Sequence, residues 1–294
     1  EKEREKERRR QGLPARERED KPKAPTVARD RWTLADFELG KLLGKGKYGR
    51  VFMARERQTN YIVALKVLDA ATIQEERVER QILREVTIQT NLCSQYIARL
   101  FGFFEDNGRI ILIMEYAAGG DLYGYMQRYK NSRVPHPEAK RIITQVTKAL
   151  FHAHNKHVYH RDIKAENIML DSEGVVKLSD FGWGVHVTMA ANRRGTMCGT
   201  LDYLAPEMVK GTAYDSGVDV WSLGILLYEL VEGQPPFMHD DMNRTRHAIT
   251  HGRLTFSPRF TPELKDLLKK MLAKKGEQRI SMKEVLSSKY IKGR

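Results

Sequence analysis

His160-Arg161-Asp162-Ile163-Lys164-Ala165-Glu166-Asn167 is followed by Asp180-Phe181-Gly182 and then by Ala205-Pro206-Glu207. These residue types in this order suit phosphoryl transfer, where catalysis is positioning plus neutralisation of phosphate charge. Asp162 has the chemistry to accept the proton of an attacking hydroxyl or to orient it. Lys164, two residues on, can neutralise the transferring phosphate. Asn167 and Asp180 offer the hard oxygen ligands that Mg²⁺ takes alongside phosphate oxygens. Taken singly, each could cap a turn or satisfy a loop. Chance does not readily supply all three motifs together.

The upstream half supplies the remaining parts. Gly44-Lys45-Gly46-Lys47-Tyr48-Gly49-Arg50-Val51 is a G-x-G-x-x-G-x-V stretch, and Val63-Ala64-Leu65-Lys66 follows it. A lone G-x-G-x-x-G also opens dinucleotide-binding units, but there a helix must follow. Here Val51-Phe52-Met53-Ala54 are strand formers running into Gln58-Thr59-Asn60 as a turn, so the glycines are expected at a hairpin tip lying over phosphates. Lys66 is expected to place a cation on the α and β phosphates, with Glu85, on one helical face with Ile82 and Gln89, as its ion-pair partner.

In order and spacing the set resembles the protein kinases. The resemblance implies an α+β, bilobal protein kinase fold, with a small β-rich N-lobe carrying one regulatory helix and a larger helical C-lobe. The patterning agrees. Short strands run from Asp36 to about Met114 around one helix, from about Glu75 to Leu92, in which Val78, Ile82 and Val86 recur four apart. After Gly119-Gly120 the pattern turns helical. Ile142, Val146, Leu150 and Ala153 make one stripe, and Leu223 to Val231 are apolar almost all round. The expected bounds are an N-lobe over about 36–114, a hinge over 115–118, a C-lobe over 119–291 and an activation segment over 180–207, within a kinase domain of 31–291. By the same resemblance ATP would be bound by Gly44, Gly46, Gly49, Val51, Ala64, Lys66, Met114, Glu115, Ala117, Asn167 and Asp180. Asn167 and Asp180 would hold the Mg²⁺. Asp162, Lys164, Lys66 and Glu85 would form the catalytic set. Lys164 favours serine or threonine as the acceptor, because the tyrosine-specific branch usually uses a later arginine instead. Glu207 and Arg279 are expected to form a buried structural ion pair.

A chain of 294 residues is long enough for two lobes. Its net charge is +13, of which residues 1–30 contribute only +3, eleven Lys/Arg against eight Asp/Glu. The excess therefore belongs mainly to the folded part, where it suits ATP, acidic surfaces and solubility. No base-reading motif is visible, and direct nucleic-acid binding is not expected. Residues 1–30, with their Glu/Lys/Arg runs and Pro14, Pro22 and Pro25, are expected to be a mobile charged tail. With Cys93 and Cys198 alone and no CxxC pair or secretory segment, the chain reads as intracellular, soluble and free of disulfides. Its longest apolar run, Ile110 to Met114, is too short to span a bilayer.

Finer features resemble the Aurora kinases over Arg31 to Lys289. Asp180-Phe181-Gly182-Trp183-Gly184-Val185-His186 is similar to that family's D-F-G-W-S-V-H, with Gly184 for serine, and Arg193-Arg194-Gly195-Thr196-Met197-Cys198-Gly199-Thr200 is similar to its activation loop. Gln89 stands where most kinases have an apolar spine residue, and Trp32 where the family has an aromatic before its first strand. Ala165 and Ala205 depart from the family's prolines. The resemblance implies a mitotic serine/threonine kinase of nucleus, chromosomes and spindle. It also implies an activating partner of the inner-centromere-protein or spindle-assembly-factor kind on the N-lobe. Trp32 would contribute to that docking or else pack in the core. Thr196 is expected to be the activating phosphosite, read by Arg161 and Arg84. Glu166 and Asp121 are expected to favour substrates with arginine two or three residues before the target hydroxyl. Two alternatives are open on this reading: a pseudokinase scaffold, and a related Ser/Thr kinase of another pathway.

Overall fold

The computed structural model describes residues 32–46, 49–69, 86, 89–181 and 201–293. The small lobe is an antiparallel sheet ordered β1-β2-β3-β5-β4, from β1 (Phe37–Gly46), β2 (Gly49–Glu56), β3 (Ile62–Asp69), β4 (Leu100–Asp106) and β5 (Arg109–Glu115). The turn between β2 and β3 is closed by buried Glu56, whose carboxylate accepts the backbone N–H groups of Gln58 (3.0 Å) and Thr59 (2.7 Å).

Strand alternation divides this sheet into two faces. Val63 and Leu65 of β3 and Ile111 and Ile113 of β5 pack outward with Trp32, Phe37, Phe101 and Phe104. Leu68, Leu100 and Leu112 pack inward with Val86, which is helical together with Gln89 and Thr90. Residues 75–85, 87 and 88 of the helix expected over 75–92 lie outside the described residues, as do residues 1–30, and the chain leaves the helix after Thr90, with Asn91 in a turn, two residues short of the expected end. For Trp32 the packing alternative is the one the structure favours. Only 8% of it is exposed, and its ring lies 5.3 Å from that of Phe37, which in turn stacks on Phe104. Its apolar area goes into the outer core of the small lobe, so it offers no exposed ring for a docking partner.

The chain enters the large lobe through a small sheet, β6 (Gly120–Asp121), β7 (Ile168–Leu170) and β8 (Val176–Leu178). The described helices there are α1 (Leu122–Met126), α2 (His136–His154), α3 (Pro206–Lys210), α4 (Gly217–Glu232), α5 (Met242–His251), α6 (Pro262–Met271), α7 (Met282–Ser287) and α8 (Lys289–Lys292). The stripe Ile142, Val146, Leu150 and Ala153 on α2 is wholly buried against the core. Helix α4 runs through the centre, buried from Val218 to Val231, and stops at Gly233, whose φ is +89°. A Cβ at Gly233 would stand 2.1 Å from the carbonyl oxygen of Asn131, so both conformation and space require glycine.

The expected ion pair between Glu207 and Arg279 is present. Arg279 Nη2 donates to Glu207 Oε2 at 2.7 Å, and its other nitrogens bond the carbonyl oxygens of Ala273 (2.9 Å) and Gly217 (3.0 Å). The arginine side chain is 1% exposed. Full hydrogen bonding makes that burial tolerable and fixes α3 to the base of the large lobe.

Candidate active site

The cleft-facing side of the small-lobe sheet is set by register. Val51 stands directly opposite Lys66, and Ala64 directly opposite Met114. Opposed residues share a face, as do residues two apart, so Val51, Ala64, Lys66 and Met114 all point into the cleft. Glu115 carries the chain out of β5 and is pinned there. Its carboxylate accepts the N–H of Arg99 (3.0 Å) and pairs with Lys177 (2.7 Å), while its own N–H bonds the carbonyl of Arg99 (2.8 Å). Ala117 is buried immediately beyond.

The glycines of the first hairpin have different local reasons. Gly44 pairs with Val51 and Gly46 with Gly49. A Cβ at Gly49 would meet the carbonyl oxygen of Val67 at 1.9 Å, so close passage of β3 excludes any side chain there. At Gly44 a Cβ would meet nothing within 4 Å. Lys47 and Tyr48, between them, lie outside the described residues, and so do Glu85, Arg84, Thr196 and Thr200.

On the large-lobe side, the loop 160–167 and the segment 179–181 are stapled together. Ser179 gives both its N–H (3.0 Å) and its hydroxyl (2.9 Å) to the carbonyl of Asn167. The His160 ring joins through Nε2 to the carbonyl of Ser179 (2.8 Å) and packs edge-on to Phe181 at 4.7 Å. This brings five expected site residues together. Lys164 Nζ lies 2.9 Å from Asp162 Oδ2, and Asn167 Nδ2 donates to both Oδ2 and the carbonyl of Asp162 at 2.8 Å. Lys66 Nζ reaches across from β3 to Asp180 Oδ1 at 2.6 Å. Burial opposes the charge of Asp180, but the field and hydrogen bond of Lys66, with His160 and Lys164 behind it, hold its carboxyl below the ordinary range.

Two of these positions carry left-handed backbone, Arg161 at φ +68° and Asp180 at φ +57°. Non-glycine residues persist there only where surrounding bonds over-determine them. Asp219, in the first turn of α4 and wholly buried, supplies those bonds to the loop. Its carboxylate accepts the N–H of His160 (2.9 Å) and of Arg161 (2.7 Å) and takes His154 Nε2 at 2.7 Å. Burial again opposes the charge. The hydrogen bond and field of His154, then His160 and the Arg161 N–H, outweigh it and keep the carboxyl below its ordinary range.

A second acidic group faces the same loop. Glu229 of α4 is 8% exposed, receives the hydroxyl of buried Tyr203, and is pushed up to about 7 by burial, with Glu166 and Asp202 adding to the shift. Burial alone raises Asp202 to about 6. Sequence reasoning missed Asp219 and Glu229, yet a signal existed, since each is an acid inside a helix otherwise apolar all round. Asp121, expected with Glu166 to favour upstream arginine, caps α1 by accepting the N–H of Gly124 at Oδ1, 2.7 Å away. A short acid at a helix start finds its partner in the open N–H groups of the first turn. Gln89 is 3% exposed, with Nε2 3.4 Å from the carbonyl of Ala98, so the polar head meets protein. The Arg161 guanidinium lies 5.8 Å from the ring of Tyr214.

Among the described residues no helix is long and apolar enough to cross a membrane. The protein kinase domain family matches residues 37–291. The chain is 44% identical to serine/threonine-protein kinase Aurora-1 of Arabidopsis thaliana, over 94% of this chain and 92% of that one. It is 45% identical to the Aurora kinase of Schizosaccharomyces pombe, over 91% of this chain and 75% of that one. To Aurora kinase C of Mus musculus it is 43% identical, over 91% and 95% respectively. The cleft geometry, the two-lobed fold and these identities agree, and the chain belongs to the Aurora family of serine/threonine protein kinases.

Proposed function

We propose that this kinase transfers the γ-phosphate of ATP to serine or threonine in proteins through Asp162, Lys164, Lys66, Asn167 and Asp180. One observation carries the reading: Asp162 is bracketed by Lys164 and Asn167 while Asp180 is tied to Lys66 across the cleft. Asp162 takes or orients the acceptor hydroxyl's proton. Lys164, 2.9 Å away, moves its charge onto the transferring phosphoryl. Lys66 holds the α and β phosphates, and Glu85 is assigned as the residue that steadies it. Val51, Ala64, Met114, Glu115 and Ala117 line the adenine end, with Gly44, Gly46 and Gly49 over the phosphates.

The donor set fits a Mg²⁺ ion. Asn167 spends its amide N–H groups on Asp162, which leaves the amide oxygen, and Asp180 has one carboxylate oxygen beyond that bonded to Lys66. Both are hard donors of the kind Mg²⁺ takes. When bound there the ion neutralises phosphate charge.

The arginine preference has stronger support in Glu229 than in Asp121. Burial pushes the Glu229 carboxyl up to about 7, and the charges of Glu166 and Asp202 add to the shift, an arrangement a substrate guanidinium would relieve. Thr196 is assigned as the activating phosphosite, with Arg161 and Arg84 as receivers of its phosphate. Family membership supports the rest of the reading: a kinase domain over 31–291, a mitotic role on chromosomes and spindle, and an activating partner on the N-lobe. Burial of Trp32 favours its packing role over a direct contact with that partner.

Labelled ATP, Mg²⁺ and a degenerate Ser/Thr peptide array test the reading. Transfer to Ser/Thr peptides with upstream arginine is expected. Indifference to arginine, or a demand for proline after the hydroxyl, would overturn the substrate assignment, and absence of any transfer the catalytic one.

A further inference from the structure

Helix α5 carries two histidines that the phosphoryl-transfer site does not use. His247 and His251 are four residues apart, hence neighbours on one face, and both are exposed. Their rings lie 4.8 Å apart, with planes inclined by 30°. Thr250 lies beside one nitrogen of the second. Its hydroxyl is 2.9 Å from the carbonyl of Arg246 and 3.1 Å from that of His247, within reach for donation to the helix backbone. The same oxygen lies 2.8 Å from His251 Nδ1. With the hydroxyl proton on the backbone, that oxygen accepts from Nδ1, and Nε2 keeps its lone pair. A hydroxyl or carbonyl that fixes the far nitrogen in this way is the usual support behind a metal-binding imidazole.

We propose that His247 and His251 form a two-ligand site for a divalent transition metal on the outer face of α5. Imidazole nitrogens bind such ions at about 2.0–2.1 Å. Two rings already in contact reach that geometry by small side-chain rotations, without moving the helix. Among the described residues no set of three or more His, Cys, Asp or Glu could hold a metal, so the remaining positions belong to water and the ion exchanges freely. Neutral nitrogen donors order the ions as Cu²⁺ above Ni²⁺ and Zn²⁺ and discriminate against Mg²⁺, which keeps this site apart from the catalytic cation. An ion bridging the two rings ties the last two turns of α5, a helix packed against α3 at the end of the activation segment.

Titration of the untagged full chain with CuCl₂, in buffer with excess Mg²⁺, tests this by calorimetry and by the copper electron-spin spectrum. A site with two imidazole nitrogens is expected. His247→Ala and His251→Ala should each weaken binding at least about tenfold, since the second ligand acts at high effective concentration. Thr250→Val should weaken it by roughly 10–100-fold through loss of the supporting oxygen. Kinase activity and thermal midpoint without added metal should match the parent in all three variants. Equal copper affinity in the parent and in the double His247→Ala, His251→Ala variant would overturn the proposal, as would a one-nitrogen copper spectrum.

Discussion

Replacing Asp219 by alanine removes the acceptor that holds the 160–162 turn to helix α4. Three donors lose their partner in a wholly buried place: the N–H groups of His160 and Arg161 and Nε2 of His154. Stripping one partner from a buried hydrogen-bonded charge costs about 3–5 kcal/mol. We take about 4 kcal/mol, because the three bonds share one carboxylate and do not add independently. For a domain of this size each kcal/mol moves the melting point by about 2–4 °C, so the expected drop is about 12 °C. Catalysis should fall further than stability, because the left-handed turn at Arg161 is what presents Asp162. Differential scanning fluorimetry and peptide phosphorylation at 25 °C measure the two effects. The pH dependence has a fixed sign. Asp219 ionises below its unfolded value of 3.8, so its stabilisation is present above that value and is lost as pH falls through the native one. The gap between parent and variant should therefore narrow below about pH 4. A drop under about 3 °C with unchanged turnover would refute the reasoning.

Other expectations follow from the same geometry. Glu229→Gln should lower kcat/KM for peptides with upstream arginine by about tenfold or more and leave arginine-free peptides unchanged, a charge-assisted hydrogen bond being worth about 1.5–3 kcal/mol. In the parent, arginine discrimination should weaken as pH falls below about 7, where Glu229 takes up a proton, and this pH dependence should vanish in Glu229→Gln. The Glu229 carboxyl is raised from 4.5, so the folded state is favoured below that value and loses stability as pH rises through about 7; thermal scans at pH 8 should find Glu229→Gln more stable than the parent. Gly49→Ala should disrupt the first hairpin by collision with the Val67 carbonyl and raise KM for ATP, whereas Gly44→Ala, with open space, should leave the thermal midpoint unchanged. Thr196→Ala should abolish activation by preincubation with ATP and Mg²⁺, read by mass spectrometry and rate together.

The sequence was most legible where chemistry and periodicity coincide. The loop from His160 to Asn167, the strand bearing Lys66 and the all-apolar run in α4 could each be read from residue type and spacing, and the structure joins the first two through Lys66 and Asp180. Asp219 and Glu229 were not read because their partners are supplied by chain segments 58 and 26 residues away, a proximity that only the fold creates. Asp121 has in addition a local partner that its position before α1 supplies, the Gly124 N–H of the first turn. Trp32 was ambiguous because an aromatic beside an edge strand is equally suited to an exposed groove and to a core. The outward cluster of Phe37, Phe101 and Phe104 decides for the core.

The most direct test of the account is the rate of the chemical step itself. Rapid quench with labelled ATP on Asp162→Asn, beside an independent measurement of ATP affinity, separates chemistry from binding. Asp162 sits 2.9 Å from Lys164 and is hydrogen-bonded by Asn167, so the amide should keep the loop in place. The account predicts a loss of roughly 10²–10⁴-fold in phosphoryl transfer, the usual contribution of a positioned base, with ATP affinity within about threefold of the parent. Transfer within about threefold of the parent rate would contradict it.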